Sequence, residues 1–282
     1  MHLKLFRAAR AVNLSLVGLM ITVSLDVLAS SRHDEGIGFY IGYDALTTIS
    51  SGIYTGFPNP NANRLTLLLD HGNHFHGIGT YSYTGLPDAP EILPISTNNR
   101  IPEISSGESP LLLTAGNDLY TGMLRSSVGS SEYSYLGIAS IQSLAGHAPD
   151  STEDILFHSS SDRWSGTLDG AQIGLRLVSN TPGLHIGTET ILDLYESSDV
   201  IALGAGNSSE FKPVYWVDTN AAAGIYSATF ELLNNSSNSS LQSSGLFSFD
   251  FSVTAVPEPK TYTLFAAGLC LLAWIKRRFT RY

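Results

Sequence analysis

Short apolar runs separated by clusters of Gly, Ser, Asn and Pro fill the middle of the chain. They are Gly36–Tyr43, Arg64–Leu69, Gly77–Tyr83, Pro110–Leu113, Glu132–Ile141, Ala171–Val178, Thr190–Tyr195, Pro213–Val217, Gly224–Leu233 and Gly245–Val253. No stretch of ten or more residues carries a convincing helical stripe. That density of short strands predicts an all-β, β-sandwich or jelly-roll-like domain over residues 30–254. Alternation is clearest in Tyr226–Leu232 and Leu246–Val253, where Phe247, Phe249, Phe251 and Val253 share one face. The two runs are expected to pair as a hairpin, leaving Asn234–Ser244, rich in Asn and Ser, as a surface loop. Pro87–Pro110, with five prolines, reads as a long loop or as a boundary between a small N-terminal piece and the main sandwich.

Both ends differ from this middle. Lys4, Arg7 and Arg10 precede an apolar stretch, Ala11–Leu25, and a small-residue exit at Val27-Leu28-Ala29. Residues 1–29 therefore read as a signal peptide cleaved after Ala29. Near the other end, the apolar run Tyr262–Ile275 is followed at once by Lys276, Arg277, Arg278 and Arg281. At ~1.5 Å rise per residue it reaches about 21 Å, short of a ~30 Å hydrocarbon core unless the flanking basic groups snorkel. The basic cluster marks the cytoplasmic side, which places the middle of the chain beyond the membrane.

The 282-residue chain is 43% hydrophobic and 14% charged, so it is not a polar disordered chain. Residues 30–259 hold seven basic and 24 acidic side chains, a net charge of −17. Phosphate binding needs clustered positive charge, so a nucleic-acid partner is excluded. The single cysteine, Cys270, lies in the C-terminal apolar run, so any chemistry in the middle uses oxygen and nitrogen groups.

Val256-Pro257-Glu258-Pro259, the short apolar helix and the basic stop form residues 255–282, which resemble the PEP-CTERM sorting signal of bacteria. Two prolines around Glu258 hold an extended backbone that a protease can grip. The resemblance implies processing by the membrane protease exosortase after signal peptidase. It also implies inner-membrane anchoring through the helix before cleavage, then release to the cell surface or extracellular matrix.

Seven of the eight histidines lie in the middle, most densely in Asp70-His71-Gly72-Asn73-His74-Phe75-His76-Gly77. His74 and His76, two apart in extended backbone, point to one face, and Gly72 and Gly77 permit turns that bring His71 round. Neutral imidazoles ligate zinc, copper or nickel, with His158 and His185 as candidates for the remaining positions. Leu67–Tyr81 also resembles the His-rich segment of PEP-CTERM proteins associated with zinc-responsive repression. Thr181–Gly187 and Phe211–Leu232 are similar to choice-of-anchor surface proteins, whose genomic association is with zinc or manganese uptake. Where those carry a His-x-His element this chain has Glu210-Phe211-Lys212, which leaves His71, His74 and His76 as the main candidates.

Enzyme signatures are missing from the sequence. Gly166 and Gly170 flank no Gly-x-Ser-x-Gly elbow, and there is no His-Glu-x-x-His and no phosphate-cradling glycine loop. Asp150, Glu153, Asp154, Asp162 and Asp169 read as a solvated acidic surface, and Asp150-x-x-Glu153-Asp154 does not fit a calcium loop. The expectation is a non-enzymatic, surface-sorted protein that binds divalent metal, zinc first, through its histidines for capture at the envelope. The alternative is a structural or adhesive component of the extracellular polysaccharide matrix, with Trp164, Trp216 and the tyrosines as sugar-stacking groups.

Overall fold

The computed structural model describes residues 36–95 and 99–254, together with Phe265, Gly268, Leu269, Leu272 and Lys276. The expected signal peptide, the Val256-Pro257-Glu258-Pro259 motif, and Arg277, Arg278 and Arg281 lie outside the described residues. Among the described residues no helix is long and apolar enough to cross a membrane.

Strands are the main regular structure of the described residues. In order these are β1 Ile37–Tyr43, β2 Leu65–Asp70, β3 Phe75–Ile78, β4 Tyr81–Leu86, β5 Ala89–Pro94 and β6 Arg100–Ile101. There follow β7 Leu111–Leu112, β8 Thr114–Ala115, β9 Met123–Arg125, β10 Gly137–Ser140, β11 Gln172–Asn180 and β12 His185–Gly187. The last are β13 Val200–Ala205, β14 Glu210–Phe211, β15 Val214–Asp218, β16 Gly224–Asn234 and β17 Phe247–Val253. One sheet has the order β14-β10-β1-β2-β3 and another β13-β11-β16-β17-β6, with β7 also on β17; β12-β15-β9-β8 and β4-β5 form two smaller sheets. The expected hairpin is present, with Phe230 opposite Phe247 and Ala228 opposite Phe249.

Three sheets meet at one aromatic core. Phe39 of β1 packs edge-on against Phe249 of β17 at 5.4 Å between ring centroids, and Tyr215 of β15 lies 5.6 Å from Phe249 and 4.4 Å from Phe251. This core is continuous from Ile37 to Val253, so Pro87–Pro110 is no domain boundary. Nor is it a plain loop, since it contains β5 and β6. β5 tolerates Pro90 and Pro94 because it belongs to an exposed two-stranded ribbon, where a missing N–H breaks no central ladder.

Two other expectations shift. The run Gly77–Tyr83 is broken at Gly79, whose φ of 73° turns the chain from β3 into β4. Thr190–Tyr195 is not a strand. The Thr188 hydroxyl accepts the N–H groups of Thr190 and Ile191, and the Asp193 carboxylate accepts that of Tyr195. Those local bonds compete with a ladder and win.

Candidate metal centre

Asp70 closes β2, and its carboxylate accepts the Gly72 N–H at 2.6 Å. Gly72 takes a φ of 83°, and the His71 N–H bonds the His74 carbonyl at 3.1 Å. Asp followed two residues later by a left-handed Gly is what such a turn selects. The turn folds His71 back over β3, so that ring centroids stand 4.0 Å apart for His71 and His76 and 5.1 Å for His74 and His76.

Two acids and a phenol arrive from elsewhere. β6 is pinned in its sheet by Ile101 opposite Phe249, and the Asn99 carboxamide just before it grips the turn after β3, accepting the N–H groups of Gly79 and Thr80 at 2.9 and 3.1 Å. The next segment therefore delivers Glu103, only 2% exposed, against the hairpin. Glu132 and Tyr133 come from a 3₁₀ turn, Glu132–Ser134, whose first turn is capped by the Ser131 hydroxyl. That segment can lie close on β1 because residue 38 is glycine; a Cβ there would stand 2.4 Å from the Tyr135 carbonyl oxygen.

Each ring nitrogen of the cluster has a defined neighbour. His74 Nδ1 donates to Asn73 Oδ1 at 2.7 Å, and its Nε2 lies 3.3 Å from His76 Nε2. His76 Nδ1 lies 3.1 and 3.0 Å from the two oxygens of Glu103 and donates to them in its Nδ1–H tautomer. His71 Nδ1 lies 3.1 Å from Glu132 Oε1, and its buried Nε2 makes no hydrogen bond while standing 3.5 Å from Glu103 Oε2. The Tyr133 hydroxyl donates to that same oxygen at 3.2 Å. His71 thus stands between two carboxylates, with a single proton to share between its two ring nitrogens while neutral. A second proton on that ring, or a metal ion at Nε2, satisfies both sides.

Electrostatics agree with that reading. The Glu103 carboxylate raises the His71 pKa above its ordinary value against the opposing effect of burial, with Glu132 and Asp70 adding to it. Burial pushes Glu103 up, but His71 and His76 together outweigh it and hold its pKa below the ordinary carboxylate value. Burial lowers the His74 pKa, helped by the neighbouring His71 and His76. Burial raises the Tyr133 phenol to about 12, so it stays a donor.

Compared with known protein families, curated proteins and solved structures, the chain matches none.

The donor set itself therefore carries the chemistry. His71, His76 and Glu103 present one ligand atom each, all within 4.8 Å of one another. Zinc bonds of ~2.0–2.1 Å in a tetrahedron put neighbouring ligands about 3.3–3.4 Å apart. The separations of 3.0 Å from His76 Nδ1 and 3.5 Å from His71 Nε2 to Glu103 Oε2 bracket that edge. Glu132 holds the far nitrogen of His71, the arrangement that fixes tautomer and ring orientation in metal sites.

Of the five histidines expected as ligands, His71 and His76 stand in this group and exposed His74 stands at its mouth. His158 and His185 do not join it. His158 Nδ1 lies 2.6 Å from Asp162, and Nε2 lies 3.5 Å from Asp154. His185 stacks on Trp216 at 4.4 Å and 17°, with Nδ1 2.6 Å from Asp193. Trp164 and Trp216 are buried, at 3% and 8% exposure, so neither presents a broad exposed ring face. Sequence reasoning missed Glu103, Glu132 and Tyr133. Glu103 lies 27 residues beyond His76, and no spacing rule connects them.

Proposed function

We propose that this is an exported, surface-sorted bacterial protein of β-sandwich type that captures a divalent transition metal, zinc in the first instance, at the envelope. His71, His76 and Glu103 are the ligands, His74 guards the mouth, and a fourth position stays open for water or an incoming ligand. The observation that carries this reading is the buried His71 Nε2, which makes no hydrogen bond and faces the Glu103 carboxylate. Two imidazoles and one carboxylate suit zinc rather than calcium or magnesium, which want a shell of oxygens. The negative middle of the chain raises the local cation concentration. The N-terminal and C-terminal signals support delivery by signal peptidase and exosortase, with the inner membrane as a transient anchor. The test is zinc titration of the full-length chain in a zwitterionic detergent, against a competing chromophoric chelator. One zinc per chain is expected, lost in a His71→Ala, His76→Ala, Glu103→Gln variant; equal weak binding by both proteins refutes the proposal.

A further inference from the structure

β3 has a second face. Side chains alternate along a strand, so His76 meets the metal cluster while Gly77 looks the other way. There the Trp164 indole lies 3.4 Å from where a Gly77 Cβ would stand. A cleft of about 320 Å³ opens over this floor, lined in part by Tyr54, Tyr81, Ser82, Tyr83, Arg163 and Trp164. We propose that it binds an uncharged saccharide, a short run of pyranose rings laid on Tyr54 and Tyr83.

The two tyrosines are held in place before any ligand arrives. Their centroids lie 5.2 Å apart at a tilt of 34°, with Phe57 edge-on behind both at 5.9 and 5.5 Å. The Tyr54 hydroxyl donates to the Gly85 carbonyl at 2.6 Å and that of Tyr83 to the Pro58 carbonyl at 3.0 Å. What remains to a ligand is their half-exposed ring faces, which suit the C–H face of a sugar. Charge then narrows the class. Arg163 donates through Nε and Nη2 to the fully buried Asp44 carboxylate and lies over the Trp164 ring at 4.4 Å. Its charge is thus met from below, which disfavours phosphate and polyuronate. Its Nη1 lies outside the pair with Asp44 and suits a hydroxyl. The Asn59 carboxamide bonds Asp44 and the Leu46 carbonyl, both at 2.8 Å, and keeps this wall rigid. A lipid would want an apolar wall; this one mixes rings with hydroxyls. The volume sits near the ~300 Å³ lower bound of small-molecule pockets.

The test is calorimetric titration of the full-length chain with neutral glucan, mannan and galactan oligosaccharides and with a polyuronate of equal length. The detergent is zwitterionic, since a sugar headgroup would compete. At least one neutral saccharide is expected to bind. Tyr54→Ala and Tyr83→Ala should each weaken it about tenfold, the loss of one stacking contact. Ser82→Trp, which adds a large side chain to the lining of the cleft, should abolish it, and zinc titration should be unchanged. Ser82→Trp also decides the case if a tyrosine variant unfolds. Failure of every neutral saccharide to bind, binding that survives Ser82→Trp, or binding of the polyuronate alone overturns the proposal.

Discussion

Glu103→Gln keeps the shape of the side chain at the centre of the cluster and removes its charge. In the zinc-free protein the carboxylate faces His71 and His76, accepts from Tyr133 and is 2% exposed. Hydrogen bonds to a buried charge contribute ~1.5–3 kcal/mol, so the variant should lose about 2 kcal/mol. At 2–4 °C per kcal/mol for a domain of this size, the melting temperature falls by about 4–8 °C. Zinc supplies the more specific readout. At a hundredfold excess over its dissociation constant it stabilises the wild type by ~2.7 kcal/mol, a rise of about 5–11 °C. Losing one of three ligands should weaken binding at least ~100-fold, the upper range seen for supporting residues alone. The same zinc concentration then supplies only about 0.4 kcal/mol, a rise of less than ~2 °C. Differential scanning fluorimetry with and without zinc measures both quantities on one sample. If the Gln variant keeps the wild-type zinc increment, Glu103 is not a ligand and the metal reading fails.

Three further outcomes are expected. The raised pKa of His71 makes its ion pair with Glu103 fully present below 6.5 and lost as pH rises through the folded value, while the lowered pKa of Glu103 makes it present above 4.5 and lost as pH falls through its folded value. Melting curves of the zinc-free protein should therefore show this contribution between those limits, with the zinc increment larger at about pH 8 than at about pH 6, because metal and proton compete for the same nitrogens; a pH-independent increment would contradict the cluster. His158→Ala and His185→Ala should leave zinc titration unchanged, since Asp162 and Asp193 already hold those rings, and loss of binding in either would enlarge the site. Phe249→Ala removes a ring that is 1% exposed and packs on Phe39 and Tyr215, so urea unfolding should show a loss of about 3–5 kcal/mol, and a loss below 1 kcal/mol would mean that the sheets are not clamped there.

The legible parts of the sequence were those governed by local period. Tyr226, Ala228, Phe230 and Leu232 alternate with less buried neighbours, which is why β16 and its partner β17 stood out. β5 did not, because Pro90 and Pro94 argue against a strand until the strand is seen on an exposed ribbon. Thr190–Tyr195 misled in the opposite sense: its composition suits a strand, but the Thr188 and Asp193 side chains capture its backbone. In the candidate site the histidines were visible because one turn gathers them. Glu103 reaches them only through pairing of Ile101 with Phe249, a contact nearly 150 residues apart in sequence that no local pattern encodes.

The donors of the cluster come from three stretches of chain that meet only when the sheets have closed. A synthetic peptide covering Leu65–Ile78 would contain every histidine of the group and neither acid, and it would chelate weakly for want of the groups that orient its rings. The same holds for the whole chain before it folds, when His71 and Glu103 are merely dilute neighbours on a flexible tether. On the proposed function, metal occupancy would be a certificate of maturation: a copy that has failed to close would leave zinc in the surrounding medium, and only a finished molecule would withdraw it.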